Sequence, residues 1–164
     1  MRREDLGFVA RAPVRHVFAA VVRAPRAAVF AALADPPGWP AWFPGVRSAR
    51  YASPPPHGVG SIREADVSGT RWVEEMLALD DGQRWAYTVI ESSTPLASAQ
   101  VEVFDVEDAP LGPKESPATR VTSTLAIEPR LLQRLSGPIA PLVMGRVLRH
   151  AMANLERQLR AAAR

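Results

Sequence analysis

Residues 21–51 read VVRAPRAAVFAALADPPGWPAWFPGVRSARY, and this stretch decides the fold. Val21 and Val22 close a Val- and Phe-rich run that begins at Val14 (VRHVFAAVVR), the composition of a β-strand. Pro25 stands where a helix can start, because its missing N–H and fixed φ suit a first turn. In RAAVFAALAD, the residues Val29, Phe30 and Leu33 share one helical face. That helix must stop near Asp35, since Pro36 and Pro37 follow and a proline keeps the residue before it out of the α region. PPGWPAWFPG leaves room for a short helical turn, yet it gathers Trp39, Trp42 and Phe43. VRSARY then reads as the next strand.

Proline punctuates the rest of the chain. There are 16 prolines in 164 residues, about twice the ordinary ~5%, and they cluster. The proline-free stretches 14–24, 57–94, 96–109, 118–128 and 142–164 are therefore the expected regular elements. After the SPPPHG turn, VGSIREAD returns as a strand. TRWVEEMLALD and QRWAYTVIES follow as two strands joined by Asp81-Gly82, a hairpin dipeptide. AQVEVFDVE and TRVTSTLAIE complete the run, separated by the loop DAPLGPKESPA. From Pro141 to Arg164 the pattern changes. Met144, Leu148, Ala151, Met152, Leu155, Leu159 and Ala162 recur at helical spacing, opposite Arg146, Arg149, His150, Ala153, Arg157 and Arg160. The order is strand, two short helices, six strands and one long helix, an α+β architecture in which a curved antiparallel sheet offers the helix its apolar partner.

Composition narrows the function classes. The chain is 47% hydrophobic and 23% charged, an ordinary globular balance. It has length enough for one domain, expected at residues 13–164 behind a tail of residues 1–12. No apolar run approaches the ~18 residues of a membrane span, and the charged N-terminus lacks a secretory h-region. Cysteine is absent, which removes disulfides and thiolate chemistry and fits a cytoplasmic chain. The net charge is +3 and Lys114 is the one lysine. Arginines are interleaved with acids instead of forming a basic block, so a nucleic-acid partner is not expected. His16, His57 and His150 lack metal-ligand spacing, and no metal or cofactor is expected. Gly58-Val59-Gly60 precedes a strand, whereas a phosphate cradle would open a helix.

The opening stretch, the DDGQRWAYTV and TRVTSTLAIEP segments and the amphipathic C-terminal helix resemble the SRPBCC superfamily, the START and birch-allergen-like proteins. The resemblance runs from about residue 14 to 160 and is nearest the polyketide cyclase/dehydrase-like subgroup. It implies a helix-grip fold: a curved seven-stranded antiparallel sheet wrapped around the C-terminal helix, with two short helices between the first two strands. It also implies a cavity between sheet and helix for a hydrophobic small molecule, such as a lipid, isoprenoid or polyketide, in a monomer or homodimer.

Period-2 alternation then assigns side chains to that cavity. In TRWVEEMLALD the rows are Trp72, Glu74, Met76, Ala78 and Val73, Glu75, Leu77, Leu79; the family pattern selects the Trp72 row as inward. Trp85, Tyr87 and Val89 are expected inward on the next strand, and Val121, Ser123, Leu125 and Ile127 on the last. The expected ligand contacts are Trp39, Trp42, Phe43, Trp72, Met76, Trp85, Tyr87, Val101, Ser123, Leu125, Met144, Leu148 and Met152. The simpler reading makes the aromatics plain core. Glu74 is the candidate acid or base, with Glu75 in its place if the strand register is the other one. The aromatase/cyclase enzymes of the family carry an arginine four residues beyond a tryptophan on this row, where this chain has Met76. Two readings follow: an apolar-ligand binder, or a cyclase/dehydratase-type enzyme using one acid/base group, with a protein-interaction module behind them. Two or more inward polar side chains with perturbed pKa would favour the enzyme.

Overall fold

A computed structural model describes residues 1–94, 96–110, 117–130 and 140–162; the expected loop between the last two strands falls mostly outside them. A short helix α1 (Phe8–Arg11) precedes β1 (Val14–Val22). Helix α2 (Arg26–Leu33) and a 3-10 turn (Pro36–Ala41) come next. Six strands follow: β2 (Val46–Tyr51), β3 (Ile62–Val67), β4 (Thr70–Asp80), β5 (Arg84–Ser92), β6 (Ala97–Asp108) and β7 (Thr119–Pro129). Helix α3 (Ala140–Ala162) ends the chain. The strands form one seven-stranded sheet in the order β1-β7-β6-β5-β4-β3-β2, every neighbour antiparallel. This is the helix-grip fold expected from the sequence.

Local chemistry explains the turns. Gly82 takes a φ of 69° in the β4–β5 hairpin, and Gly69, with φ 85°, follows Ser68 in the two-residue turn between β3 and β4. Side-chain bonds fix the entrance to the sheet. The Trp39 indole N–H donates to the Leu33 carbonyl at 3.0 Å, tying the 3-10 turn to α2. Asn154 of α3 donates to the Trp42 carbonyl at 3.0 Å, so the final helix and the aromatic turn hold one another.

Helix α3 lies across the concave face with Leu148, Ala151, Met152 and Leu155 buried and Leu159 partly so. The apolar stripe departs from expectation at its start. Met144 is 40% exposed, and the buried position there is Gly145, whose small size lets Phe18 of β1 approach. The stripe passes through position 145 because the spacing 145, 148, 152, 155 tracks the helix face more closely than one through 144.

The convex face carries a second apolar layer. Ala78, Ala86, Ala99, Val101, Val103 and Ala126 form it, and Phe8 of α1 covers it. Of residues 1–12, expected as a tail, Met1 packs against the concave clusters and the rest runs along this layer: the Arg2 N–H donates to Ser98 O at 2.8 Å, and Arg3 sits 2.7 Å from Glu75. Val101 accordingly faces away from the cavity it was expected to line. Both rows of β6 carry large apolar side chains because both faces are covered, so hydrophobicity alone could not choose between them. The inward row is Glu102, Phe104 and Val106. A register shift between Met76 and Ala78 makes the other correction. It sends Ala78 to the convex face opposite Ala86 and turns Leu79 inward opposite Trp85.

Candidate functional site

Directly paired residues of antiparallel strands project on the same face, so the pairings list the concave surface rung by rung. One rung is Tyr51, Arg63, Glu74 and Val89 across β2 to β5. The next runs Met76, Tyr87, Glu102, Leu125 and His16 from β4 to β1. A third holds Leu79, Trp85, Phe104, Ser123 and Phe18. Polar groups on an otherwise apolar surface define the candidate site.

The Ser68-Gly69 turn places Arg63 opposite Glu74, because a two-residue hairpin fixes the register of every pair beyond it. Arg63 is 1% exposed and Glu74 4%, and Arg63 Nε and Nη2 both reach the same Glu74 oxygen. The guanidinium lies over three rings, 4.4 Å from the centroid of Trp39, 4.5 Å from Trp85 and 4.8 Å from Tyr87. Among the described residues, Arg63 Nη1 and Trp85 Nε1 are buried without a hydrogen-bond partner. On the neighbouring rung the Tyr87 hydroxyl donates to Glu102, and Ser123 Oγ donates to the other Glu102 oxygen at 2.8 Å.

Burial raises all three acids. It pushes the Glu74 carboxyl above its ordinary value, with Arg63 pulling the other way. It raises Glu102 too, opposed by the hydrogen bonds from Tyr87 and Ser123. The Tyr87 phenol rises well above its usual range, first through burial and then through the Glu102 and Glu74 charges. For Glu102 this has a measurable consequence. Between the ordinary 4.5 and the raised folded value, the folded state holds more protons than the unfolded one. Stability contributed by this group is therefore present below that window and lost as pH rises through it. Glu102→Gln keeps a partner for Tyr87 and Ser123 and removes the charge. Thermal melts should show the variant gaining on the parent protein as pH moves from acid to neutral, whereas a gap independent of pH would mean that Glu102 titrates normally.

The expected site residues separate into groups. Trp39, Trp42 and Trp85 are buried together, with Trp39 5.3 Å from Trp42 and 5.2 Å from Trp85 between ring centroids. Phe43 stacks on Trp39 at 5.3 Å and is only half-buried, as is Trp72. Met76, Tyr87, Ser123, Leu125, Leu148 and Met152 are buried on the concave side. Glu74 points in and Glu75 out. Val101 and Met144 fall outside this group. Of the histidines, His16 shares the Glu102 rung, His57 stacks on Tyr51 at 4.0 Å, and His150 is exposed. Among the described residues no cluster of His, Asp or Glu could hold a metal ion.

Sequence reasoning missed Arg63 and Glu102. The trace of Arg63 was in IREADV: Glu64 and Asp66 share a row that prefers solvent, which leaves Arg63 inward with Ala65 and Val67. For Glu102 the trace was its row-mates Phe104 and Val106.

Comparison with known proteins agrees with this fold. Residues 14–160 match the family described as polyketide cyclase / dehydrase and lipid transport. Uncharacterized proteins of Mycobacterium tuberculosis and Mycobacterium bovis are 30% identical in a 135-residue alignment that covers 78% of this chain and 74% of theirs. A START superfamily protein from Mycobacterium smegmatis superposes with a TM-score of 0.70 at 18% identity, covering 90% of this chain and 98% of that one. The Zhui aromatase/cyclase from Streptomyces sp. R1128 gives 0.71 at 17% identity, covering 92% and 96%. The family match spans β1 to the last turns of α3, so this chain belongs to the polyketide cyclase/dehydrase-like branch of the SRPBCC superfamily.

Proposed function

We propose that the concave face binds one hydrophobic small molecule, a lipid, isoprenoid or polyketide-like compound, with an oxygen atom of the ligand turned toward the polar rungs. The observation that carries this reading is the unpartnered Arg63 Nη1, buried against Trp39, Trp85 and Tyr87. A buried guanidinium N–H without an acceptor is costly, and a ligand carbonyl or hydroxyl would relieve it. Apolar walls with a few convergent polar groups are the usual make-up of a small-molecule site. Met76 stands where the aromatase/cyclases have their arginine, and Arg63 supplies a cation to the same surface from β3.

A second reading, cyclase/dehydratase-type catalysis, is favoured by one specific feature. Glu74, Tyr87 and Glu102 are three inward groups raised by burial, which meets the criterion set by the sequence for an enzyme. Glu74 is occupied by Arg63, so the acid or base in this reading is Glu102, the half-buried one.

Titration with an anilinonaphthalene dye or oleate, read by tryptophan emission, tests the proposal. Saturation near one equivalent is expected, with Trp85 and Trp39 reporting through the groups they touch. Native mass spectrometry of the purified protein should show a co-purifying small molecule. Absence of saturable binding by every apolar probe would overturn the reading in favour of an interaction module. Glu102→Gln then separates the two forms: a binder keeps its affinity, while an enzyme keeps affinity and loses turnover.

A further inference from the structure

The outward face of α3 carries a pattern that the concave site does not use. Leu142, Arg146, Arg149, Ala153, Arg157 and Arg160 recur at three- and four-residue spacing and are all exposed, so they form one stripe along the helix. Glu156 is the one acid between Ala140 and Ala162. It is engaged with Arg160 at 2.7 Å and with the Arg23 backbone N–H at 2.9 Å. Arg146 and Arg149 have no ion-pair partner among the described residues.

Solvated arginines alone would be ordinary. What is not ordinary is the apolar tip at the start of the same exposed face. Leu142 is 72% and Val143 52% exposed at the start of the helix. An exposed apolar side chain of β1 continues beside the arginines: Val21 is half exposed and shares a groove with Arg149 and Arg157. A groove of about 520 Å³ between β1 and α3 is lined by Ala19, Val21 and Ala153 together with Arg149, Arg157 and Glu156, the acid already engaged by Arg160. A nucleic acid would reward the arginines and leave Leu142 and Val143 in water. A bilayer containing acidic lipids rewards both at once, cations against headgroups and apolar side chains below them.

We propose that this face docks the protein on an anionic lipid surface, with Leu142 and Val143 entering the headgroup layer and the arginine stripe lying along it. Docking of this kind is peripheral: no helix among the described residues is long and apolar enough to cross a membrane. It does not depend on what the concave face binds.

Flotation with vesicles tests it. The intact protein should bind equimolar phosphatidylcholine/phosphatidylglycerol vesicles about tenfold or more tighter than pure phosphatidylcholine ones. The preference should disappear near 1 M salt, where charges are screened beyond about 3 Å. Arg149→Gln with Arg157→Gln should erase the preference, and Leu142→Ser with Val143→Ser should weaken binding to the mixed vesicles about tenfold. These sites are on the surface, so unchanged thermal melts should accompany both variants. Equal binding to the two vesicle types would overturn the proposal. So would full binding by the Leu142/Val143 variant, or displacement of the intact protein from vesicles by duplex DNA with the apolar pair irrelevant to either partner.

Discussion

Glu74→Gln is expected to destabilise the protein by about 3 kcal/mol, near the lower end of the ~3–5 kcal/mol lost when one member of a buried ion pair is removed. From the sequence alone the sign runs the other way. An inward carboxylate without a visible partner is a costly buried charge, and neutralising it would then be harmless or helpful. The structure supplies the partner. Arg63, from β3, is as deeply buried as Glu74 and has its charge balanced by that carboxylate. The amide of glutamine can still accept one hydrogen bond from the guanidinium but leaves a positive charge among Trp39, Trp85 and Tyr87. Urea melts at neutral pH measure the loss. The paired replacement Arg63→Met with Glu74→Leu provides the control: it should recover most of the stability, because an apolar pair of similar volume avoids both desolvation costs. If Glu74→Gln were neutral, the ion pair would not exist in solution.

Leu155→Ala should cost about 2–5 kcal/mol, the range for deleting a buried leucine and leaving part of its volume empty. Leu155 is fully buried at the centre of the α3 stripe, between the Met152 and Leu159 turns and against the concave cluster. Arg157→Ala, two residues on, should stay within about 0.5 kcal/mol. Arg157 is exposed, and its bond to the Asn154 side chain is a surface one. Asn154 keeps its own bond to the Trp42 carbonyl in that variant, so the helix stays anchored. Comparable losses in the two variants, in the same denaturant melts, would mean that the helix is rotated from the position described.

Much of the fold was legible because its local instructions do not conflict. Pro25 and the Pro36-Pro37 pair bracket α2, Asp81-Gly82 makes a hairpin, and the spacing of Leu148, Ala151, Met152 and Leu155 describes a buried helix face. The inward row Trp85, Tyr87, Val89 and the inward direction of Glu74 also followed from alternation and family pattern. Legibility stopped where both faces of a strand are covered. On β6 the row containing Val101 looks as suitable for a core as the row containing Phe104, since α1 seals the convex layer with Phe8. The first twelve residues carry no strong period of their own, so their role as that cover is invisible until the sheet they cover exists. Position 144 was misplaced for a related reason: at a helix end, side chains of either flank fit the same spacing.

The amino-acid sequence by itself determined the order of elements from β1 onward, the antiparallel sheet with its gripping helix, and the family, because these depend on proline, glycine and hydrophobic period within short windows. Only the tertiary structure decided which polar groups meet. Arg63 opposes Glu74 through a two-residue turn that sets the register of an entire hairpin. Glu102 reaches Tyr87 and Ser123 across two strand boundaries. The shift past Met76 exchanges Ala78 for Leu79 on the inner face. Register is a long-range quantity, summed from turns and bulges, and a one-residue change in it moves every later side chain to the opposite face. Whether a carboxylate is a liability or half of an ion pair depends on that sum, and no single strand carries it.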